Sequence, residues 1–233
     1  MRRTLGALTV PHYYDFGAER EFVGDDLVRP DSWDALRTRT HGPFAIGTNR
    51  GEWERRAAEH PEIEHRARAL DAYLEARGVR RLASYGCGGA ILEQWLHRLD
   101  PERALVLGDY TPETIERLRD FFSAAEVRLH DLLREGPLNA DLHLFHRIDT
   151  EFTNAQWREL LGRFAAVPVL VLVSEIISVR GALIELRKRF GPGAVSRAGL
   201  VRNRPAFELL WKATHDAEHL RFGDLHAWML RPR

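Results

Sequence analysis

The stretch LASYGCGGAILEQWL, from Leu82 to Leu96, places three glycines and the only cysteine of the chain between an apolar run and a helical pattern. Leu92, Trp95 and Leu96 have the spacing of an amphipathic helix. Glycine permits a tight turn and lets a ligand approach the main chain closely. The stretch therefore predicts a strand, a glycine loop and a helix. The loop is either a plain turn or a surface shaped to lie against a ligand.

The chain after this stretch keeps alternating between strand and helix patterns. Four further apolar runs, RALVLGD, AEVRLHD, ADLHLFH and VPVLVLVS, are separated by helical patterns. The tail AFELLWKATHDAEHLRFGDLHAWML reads as two strands joined by a polar connection. This order predicts an α/β fold with a doubly wound, mostly parallel sheet. The closing strand pair, which has no helix between its members, is the unusual part of this order.

The chain before the first strand has a different character. Residues 1 to about 50 carry aromatics, glycine and proline without a clear period. Ile63, Ala67 and Leu70 then share one face of a predicted helix. We therefore divide the chain into an irregular and helical lid or appendage, residues 1–78, and a main domain, residues 79–233.

The bulk composition restricts the class of protein. Among 233 residues, Lys and Arg total 34 and Asp and Glu total 34, so the formal net charge is zero. This balance argues against a nucleic-acid partner, which usually selects a basic excess. One cysteine excludes an intrachain disulfide and fits a reducing compartment. No apolar stretch approaches the roughly 20 residues that span a bilayer, and MRRTLGALTV lacks a secretory pattern. We expect a cytoplasmic protein that has no membrane partner, and the sequence leaves its oligomeric state undetermined.

Two aspartates end the second and third predicted strands. Asp109 ends ALVLGD, and Asp131 ends EVRLHD. Ligands of doubly wound sheets bind outside the carboxyl ends of the strands, where a carboxylate can accept the hydroxyls of a ribose. Each aspartate alone is equally well explained as a capping or solvated residue. Together with the glycine loop, they predict a pocket for an adenosine-containing molecule.

The glycine pattern separates the classes of nucleotide. Gly86 and Gly88 begin a G-x-G-x-x-G fingerprint, but Ile91 stands where the third glycine belongs. This departure counts against NAD and a Rossmann oxidoreductase. The chain has no G-x-x-x-x-G-K-[ST] loop, which counts against a P-loop nucleotide.

These stretches resemble the motifs of class I S-adenosylmethionine-dependent methyltransferases, which have a seven-stranded, Rossmann-like sheet. LASYGCGGA is similar to their first motif, two apolar residues and an acid followed by x-G-x-G-x-G. LVLGDYTPETIERLR is similar to the second, RLHDLL to the third and ADLHLFH to the fourth. The final strand pair resembles their reversed C-terminal hairpin. Ser84 replaces the usual acid, and Ala90 replaces the usual third glycine.

The resemblance implies S-adenosyl-L-methionine as cofactor. The glycine loop would lie against its methionine part. Asp109, at the end of the second predicted strand, would hold the ribose, and Tyr110 would pack on the adenine. The residues after the third strand would border the adenine ring. The implied cofactor-binding residues are Ser84, Gly86, Cys87, Gly88, Asp109, Tyr110, Asp131, Leu132 and His146.

The methyl acceptor is less clearly indicated. His146, Arg147 and Asp149 follow the fourth predicted strand and offer a base, an anion clamp and a carboxylate, while Glu175 follows the fifth. We interpret His146 as the catalytic base, with a polar residue satisfied by its own loop as the equal alternative. Arg147 is otherwise a surface arginine.

The aromatic stretch HYYDF, with Tyr13 and Tyr14, either closes over the acceptor or packs on the domain edge. The tail histidines His215, His219 and His226 do not match a zinc signature. We therefore expect no metal.

The most consistent function is methyl transfer to an oxygen or nitrogen of a small molecule, as in specialised metabolism. The fourth strand lacks the Asn/Asp-Pro-Pro-aromatic motif that methylation of base amines or glutamine amides would imply. Ser84 and Ala90 motivate one alternative, a regulatory protein that binds S-adenosylmethionine or S-adenosylhomocysteine without catalysis. An RNA methyltransferase is the other, which the balanced charge disfavours.

Overall fold

The computed structural model describes residues 6–15, 30–38, 45–190 and 195–233. Strands and helices alternate through most of these residues. The strands are β1 (Thr9–Asp15), β2 (Arg81–Tyr85), β3 (Ala104–Asp109), β4 (Glu126–Leu129), β5 (Leu142–His146), β6 (Val169–Leu172), β7 (Val195–Arg202), β8 (His215–Phe222) and β9 (Leu225–Pro232). The helices are α1 (Pro30–Arg37), α2 (Arg50–Ala58), α3 (Pro61–Ala76), α4 (Ile91–Leu99), α5 (Pro112–Phe121), α6 (Asn154–Arg163), α7 (Val179–Phe190) and α8 (Arg204–Trp211).

The main sheet has seven strands in the order β4-β3-β2-β5-β6-β9-β8. The first five are parallel, and β9 pairs antiparallel with both β6 and β8. The predicted mostly parallel, seven-stranded sheet with a reversed C-terminal strand pair is confirmed. The chain builds outward from β2 to β4 and then returns to place β5 on the other side of β2. This switch point is where open α/β sheets bind ligands.

The sheet is buried on both faces, which explains the nearly continuous apolar runs in its strands. In β2, Leu82 belongs to the core cluster on one face and Ala83 to the cluster on the other. In β6, Leu170 and Val171 are divided in the same way. Trp53 of α2 shares the first of these clusters, so α2 packs on the main domain.

The predicted strand at the start of the tail is wrong, because AFELLW forms α8. Phe207, Leu210 and Trp211 are buried at helical spacing. The side chain of Asn203 caps the helix by accepting a hydrogen bond from the Ala206 amide at 3.0 Å. The true strand pair starts at His215 and turns tightly between β8 and β9.

The segment without a clear period contains regular structure. It holds α1 and β1, and β1 pairs antiparallel with β7 in a separate two-stranded sheet. Neither strand was predicted, because each is stabilised by a partner near the opposite end of the chain rather than by a local pattern. In the described residues, no helix combines the length and the apolar character that a membrane crossing requires.

Candidate functional site

The glycine loop at the end of β2 depends on left-handed backbone conformations. Gly86 has φ +62° and Gly88 has φ +53°, values that side chains with a Cβ rarely adopt. A Cβ on Gly86 would also lie only 2.4 Å from Cγ2 of Ile148. Ala90, at the position of the missing glycine, adopts φ +49°, so the left-handed conformation is kept by an alanine.

Asp109, at the end of β3, is fully buried and accepts several hydrogen bonds. Its Oδ1 accepts from Nη1 of Arg37 at 2.8 Å and from the amide and hydroxyl of Thr111 at 3.0 and 2.7 Å. Its Oδ2 accepts from the amide of Gly88 at 3.0 Å. Burial alone would raise the pKa of Asp109, but the Arg37 guanidinium and these hydrogen bonds hold it below its usual value.

Arg37 comes from α1 and extends into the strand ends. Its Nη1 also donates to the hydroxyls of Thr111 and Thr114, at 2.6 and 3.0 Å. A Cβ on Gly88 would lie 3.5 Å from Nη2 of Arg37, so the guanidinium covers the bare backbone of the glycine loop. The N-terminal segment thus places a cation directly on the predicted ligand-binding surface.

Two cavities lie at this edge of the sheet. The strand-end cavity has a volume of about 60 Å³ and the loop cavity about 260 Å³. The strand-end cavity is lined by Gly86, Tyr110, His130, Asp131, Leu132, Leu133, Ile148, Glu151 and Phe152. The loop cavity is lined by Trp33, Arg37, Ala45, Ile46, Gly86, Cys87, Gly88, Gly89, Ile91, His146, Arg147, Ile148, Glu151 and Ser174. The wall common to both is formed by Gly86, Ile148 and Glu151.

The loop after β5, which carries Ile148 and Glu151, is held in place by β7. Arg202 is fully buried and donates from Nη1 to the carbonyl of Asp149 at 2.6 Å, and from Nη2 to the carbonyl of Phe152. Gly199 passes so close that a Cβ there would lie 1.8 Å from the carbonyl oxygen of Thr150. The small sheet of β1 and β7 therefore fixes the position of this loop.

Glu151 is an isolated carboxyl group at the centre of the site. In the described part of the chain, no group donates a hydrogen bond to its side chain. Burial raises its pKa to about 8, against the opposing effect of the Arg37 guanidinium, and the carboxylates of Asp109 and Asp149 raise it further. Glu151 therefore changes between its protonated and ionised forms near pH 8.

His146, the predicted catalytic base, ends β5 and lines the loop cavity. Burial, with the nearby positive charge of Arg147, lowers its pKa to about 3. Its Nε2 is buried and has no hydrogen-bond partner among the described residues. At neutral pH the ring is therefore uncharged, and Nε2 is an open polar position in the site.

Ser84 faces away from both cavities. It is fully buried, and its hydroxyl donates to Oε1 of Glu93 on α4 at 2.5 Å. Burial raises the pKa of Glu93 to about 7. The chain thus places a carboxyl beneath the loop from the following helix, in a stretch where the strand itself lacks an acid.

The residues predicted to surround an adenine ring lie together in the strand-end cavity. Tyr110 and Leu132 line it, and the Tyr110 hydroxyl is buried with no partner in the described chain. Asp131 also lines it, but its Oδ1 accepts from the amide of Leu133 at 2.8 Å. The remaining predicted contact, Cys87, is buried in the wall of the loop cavity.

The predicted acceptor residues are dispersed. Arg147 is exposed at the loop cavity and has a left-handed φ of +59°, which is strained for a residue other than glycine. Asp149 is fully buried and accepts from the amide of Ser174 at 2.7 Å. Glu175 is exposed and is not part of either cavity wall.

The aromatic stretch lies in β1. The amide of Tyr13 donates to Oε2 of Glu185 on α7 at 2.9 Å, and Tyr13 lines neither cavity. The backbone of Tyr14 pairs with Ser196 of β7, and its side chain lies outside the described residues. β1 is therefore an edge element of the fold that supports β7.

Sequence reasoning missed the two charged side chains that dominate the site, Arg37 and Glu151. Arg37 lies in a helix whose sequence gives no sign of its docking position. Glu151 lies in the stretch FHRIDTEF after the fourth predicted strand, where an acid in a polar loop looks like a solvated residue. Its distinguishing property, a position in the wall common to the two cavities, exists only in the folded chain.

Neither protein-family models nor curated proteins gave a match to this sequence. Solved structures did give matches. Human N-acetylserotonin methyltransferase in complex with S-adenosylmethionine superimposes with a TM-score of 0.58 at 17% identity, over 71% of this chain and 51% of that chain. An O-methyltransferase family protein from Burkholderia thailandensis gives a TM-score of 0.60 at 15% identity, over 92% and 66%.

Mitomycin 7-O-methyltransferase gives a TM-score of 0.57 at 16% identity, over 91% of this chain and 74% of that chain. Against the human enzyme, the chain spans about half the length of the solved structure. These similarities show that the chain has the fold of class I S-adenosylmethionine-dependent methyltransferases.

Proposed function

We propose that this protein is an S-adenosyl-L-methionine-dependent methyltransferase that transfers a methyl group to an oxygen or nitrogen of a small molecule. The observation that carries the proposal is the row of features at the switch point of the sheet. The glycine loop, Asp109 and the cavity beside Tyr110 and Leu132 follow one another on adjacent strand ends. The same fold in proteins named as methyltransferases supports this assignment.

The residues fit this cofactor in kind and in position. Gly86 and Gly88 offer a bare backbone for the amino-acid part. Among the described residues, only the Gly88 amide donates to Oδ2 of Asp109, which leaves this oxygen open to a ribose hydroxyl. Tyr110 and Leu132 offer apolar surface for the adenine ring. When bound, the cofactor supplies an electrophilic methyl group, and the protein aligns the acceptor and excludes water.

The space must open before the cofactor enters. The strand-end cavity, at about 60 Å³, is far smaller than the roughly 300–1,000 Å³ of a pocket that takes a small-molecule ligand. Ile148, which lies against Gly86, narrows the passage to the loop cavity. Arg37 occupies Oδ1 of Asp109, which the second ribose hydroxyl requires. We therefore propose that binding displaces Ile148 and the guanidinium of Arg37.

We assign the acceptor to the loop cavity as well, beside the amino-acid part of the cofactor. Its walls include Trp33 and Arg37 from α1, which supports the assignment of residues 1–78 as a lid over the domain of residues 79–233. Arg147 at the rim offers a cation for an acidic group of the acceptor. We propose that His146 orients the acceptor as a neutral imidazole, since its low pKa makes it a weak base.

Calorimetric titration of the purified chain with S-adenosylhomocysteine, with NAD as the control, tests the proposal. We expect micromolar binding of S-adenosylhomocysteine and no binding of NAD. Labelled methyl transfer from S-adenosylmethionine into a pool of phenols, alcohols and amines then separates an enzyme from a regulatory binding protein. Binding of NAD alone, or of neither ligand, would contradict the assigned cofactor.

A further inference from the structure

Glu151 is the ionisable member of the wall that separates the two cavities. Its neighbours in that wall are Gly86 and Ile148, neither of which carries a polar side chain. A cofactor with its adenosine in the strand-end cavity and its amino acid in the loop cavity must cross this wall. The atom that joins those two parts is the sulfur. Glu151 is therefore the carboxyl group beside which the sulfur would lie.

The backbone that carries this carboxyl group is held on both sides. Arg202 holds the backbone on both sides of Glu151 through the carbonyls of Asp149 and Phe152, and the amide of Leu200 donates to the carbonyl of Thr150 at 2.7 Å. A side chain on so restrained a loop is a specific feature of the site rather than a solvated residue of a free loop.

The charges around Glu151 leave room for one more cation. In the free protein, Asp109 and Arg37 form an ion pair at 2.8 Å that contributes no net charge, and displacement of the guanidinium by the ribose would only make the site more negative. Asp149 is a second buried carboxyl group, whose pKa is raised by burial. The other titratable or charged residues of the two cavity walls are Cys87, Tyr110, His130, Asp131, His146 and Arg147. An ionised Glu151 thus adds a negative charge that no described hydrogen-bond donor offsets.

We propose that Glu151 recognises the positive charge of the sulfonium, so that the site distinguishes the methyl donor from its demethylated product. This inference rests on the proposed function. S-adenosylmethionine carries one methyl group and one positive charge more than S-adenosylhomocysteine, and the two are otherwise the same molecule. A carboxylate beside the sulfur attracts the first ligand and is left buried and uncompensated beside the second. Transfer of the methyl group therefore lowers the affinity of the site for the product, S-adenosylhomocysteine.

The direction of the pH dependence follows from linkage. Burial raises the pKa of Glu151 to about 8 in the free protein, and a bound cation favours the ionised form and lowers that pKa. The affinity for S-adenosylmethionine is therefore full above about pH 8 and falls by up to about tenfold for each pH unit below it. The affinity for S-adenosylhomocysteine does not follow this course, because its sulfur is neutral.

The experiment is a calorimetric titration of the full chain with both ligands from pH 6 to pH 9. We expect the ratio of the two affinities to favour S-adenosylmethionine increasingly as the pH rises to about 8. Glu151→Gln should remove this dependence while S-adenosylhomocysteine still binds. Glu159→Gln makes the same chemical change on an exposed side chain of α6, 68% accessible, and should leave the ratio unchanged. Proton release on binding of S-adenosylmethionine at pH 7, measured in two buffers, is a second readout.

The outcomes separate this inference from the proposed function. If S-adenosylhomocysteine binds but the affinity ratio is constant with pH, or survives in Glu151→Gln, the role of Glu151 is refuted and the cofactor assignment stands. If neither ligand binds to the unaltered chain, the proposed function is wrong and the inference is wrong with it.

Discussion

Replacing Arg37 with methionine should change stability and ligand binding in opposite directions. Arg37 donates from Nη1 to Oδ1 of Asp109 and to the hydroxyls of Thr111 and Thr114, and its side chain is 9% exposed. Methionine is a long unbranched side chain without charge or donors. The variant therefore removes the contacts of the guanidinium while filling much of its volume.

The free protein should be destabilised by about 3 kcal/mol. Removing one partner of a buried ion pair costs about 3–5 kcal/mol, because the other charge is left uncompensated. Asp109 keeps the hydrogen bonds from the amides of Thr111 and Gly88, which places the expected loss at the lower end. Its pKa, which Arg37 helps to lower, should rise towards its usual value. The Arg37–Asp109 pair stabilises the fold above the unfolded-state pKa of the aspartate, and this stabilisation is lost as the pH falls. In the variant, this pH-dependent stabilisation should be smaller.

Adenosine and S-adenosylhomocysteine should bind more tightly to the Arg37→Met variant. The substitution frees a position on Oδ1 of Asp109, and a hydrogen bond to a charged acceptor contributes about 1.5–3 kcal/mol. This range corresponds to an affinity gain of about tenfold to a hundredfold. The gain should be the same for both ligands, because the ribose is common to them.

Urea denaturation measures the first effect and calorimetric titration with both ligands measures the second. Arg68→Met on α3 is the matched control, since Arg68 is 60% exposed and, among the described residues, pairs with a glutamate of its own helix. Its stability should change by less than about 0.5 kcal/mol. Weaker binding of S-adenosylhomocysteine with unchanged binding of adenosine would refute the reasoning. Arg37 would then hold the carboxylate of the amino-acid part instead of blocking the ribose.

Three other substitutions test the loop and the carboxyl group beneath it. Gly86→Ala should destabilise the chain by about 1–3 kcal/mol, because its Cβ would strike Ile148. It should also abolish binding of S-adenosylhomocysteine, because the Cβ would cover the bare backbone assigned to the amino-acid part; near-normal binding would contradict that assignment. Ala90→Gly should raise the free energy of unfolding by about 1 kcal/mol, since glycine relieves the left-handed φ of +49°; a loss of stability in urea would contradict it. Glu93 has its pKa raised to about 7, so its contribution to stability is full below about pH 4.5 and falls by about 3 kcal/mol as the pH rises to about 7. Glu93→Gln should remove that fall in denaturation curves, and an unaltered pH profile would show that the carboxyl group is not buried as described.

The parts of the site that the sequence predicted are those with local causes. Gly86 and Gly88 predict a turn from the local sequence alone, because glycine adopts left-handed backbone conformations without help from a distant segment. Asp109 lies at the end of β3 as predicted, and Leu132 follows the end of β4 by three residues, because the apolar runs that precede them mark roughly where each strand stops. Parallel strands bring their carboxyl ends to one edge, and so these residues meet without any further information.

The parts that the sequence missed depend on contacts between distant segments. Arg37 reaches Asp109 across 72 positions of sequence, and its helix has no pattern that specifies the docking. β7 braces the loop of Glu151 through Gly199 and Arg202, yet VSRAGLVR lacks the alternation typical of a strand. The spacing of α8 was helical throughout, but a short apolar stretch is compatible with either element when its capping residue is overlooked.

The two departures from the methyltransferase motif have structural replacements. Ala90 adopts the left-handed conformation that a glycine would adopt, so the loop keeps its course at a modest cost in strain. Ser84 replaces the acid of the strand, but its hydroxyl is bonded to Glu93, and a carboxyl group therefore remains buried at the base of the loop. Both features, together with an Asp109 whose Oδ2 accepts only the Gly88 amide among the described residues, are what the proposed cofactor would need: a loop that keeps its course and an acceptor that is open to a ribose hydroxyl.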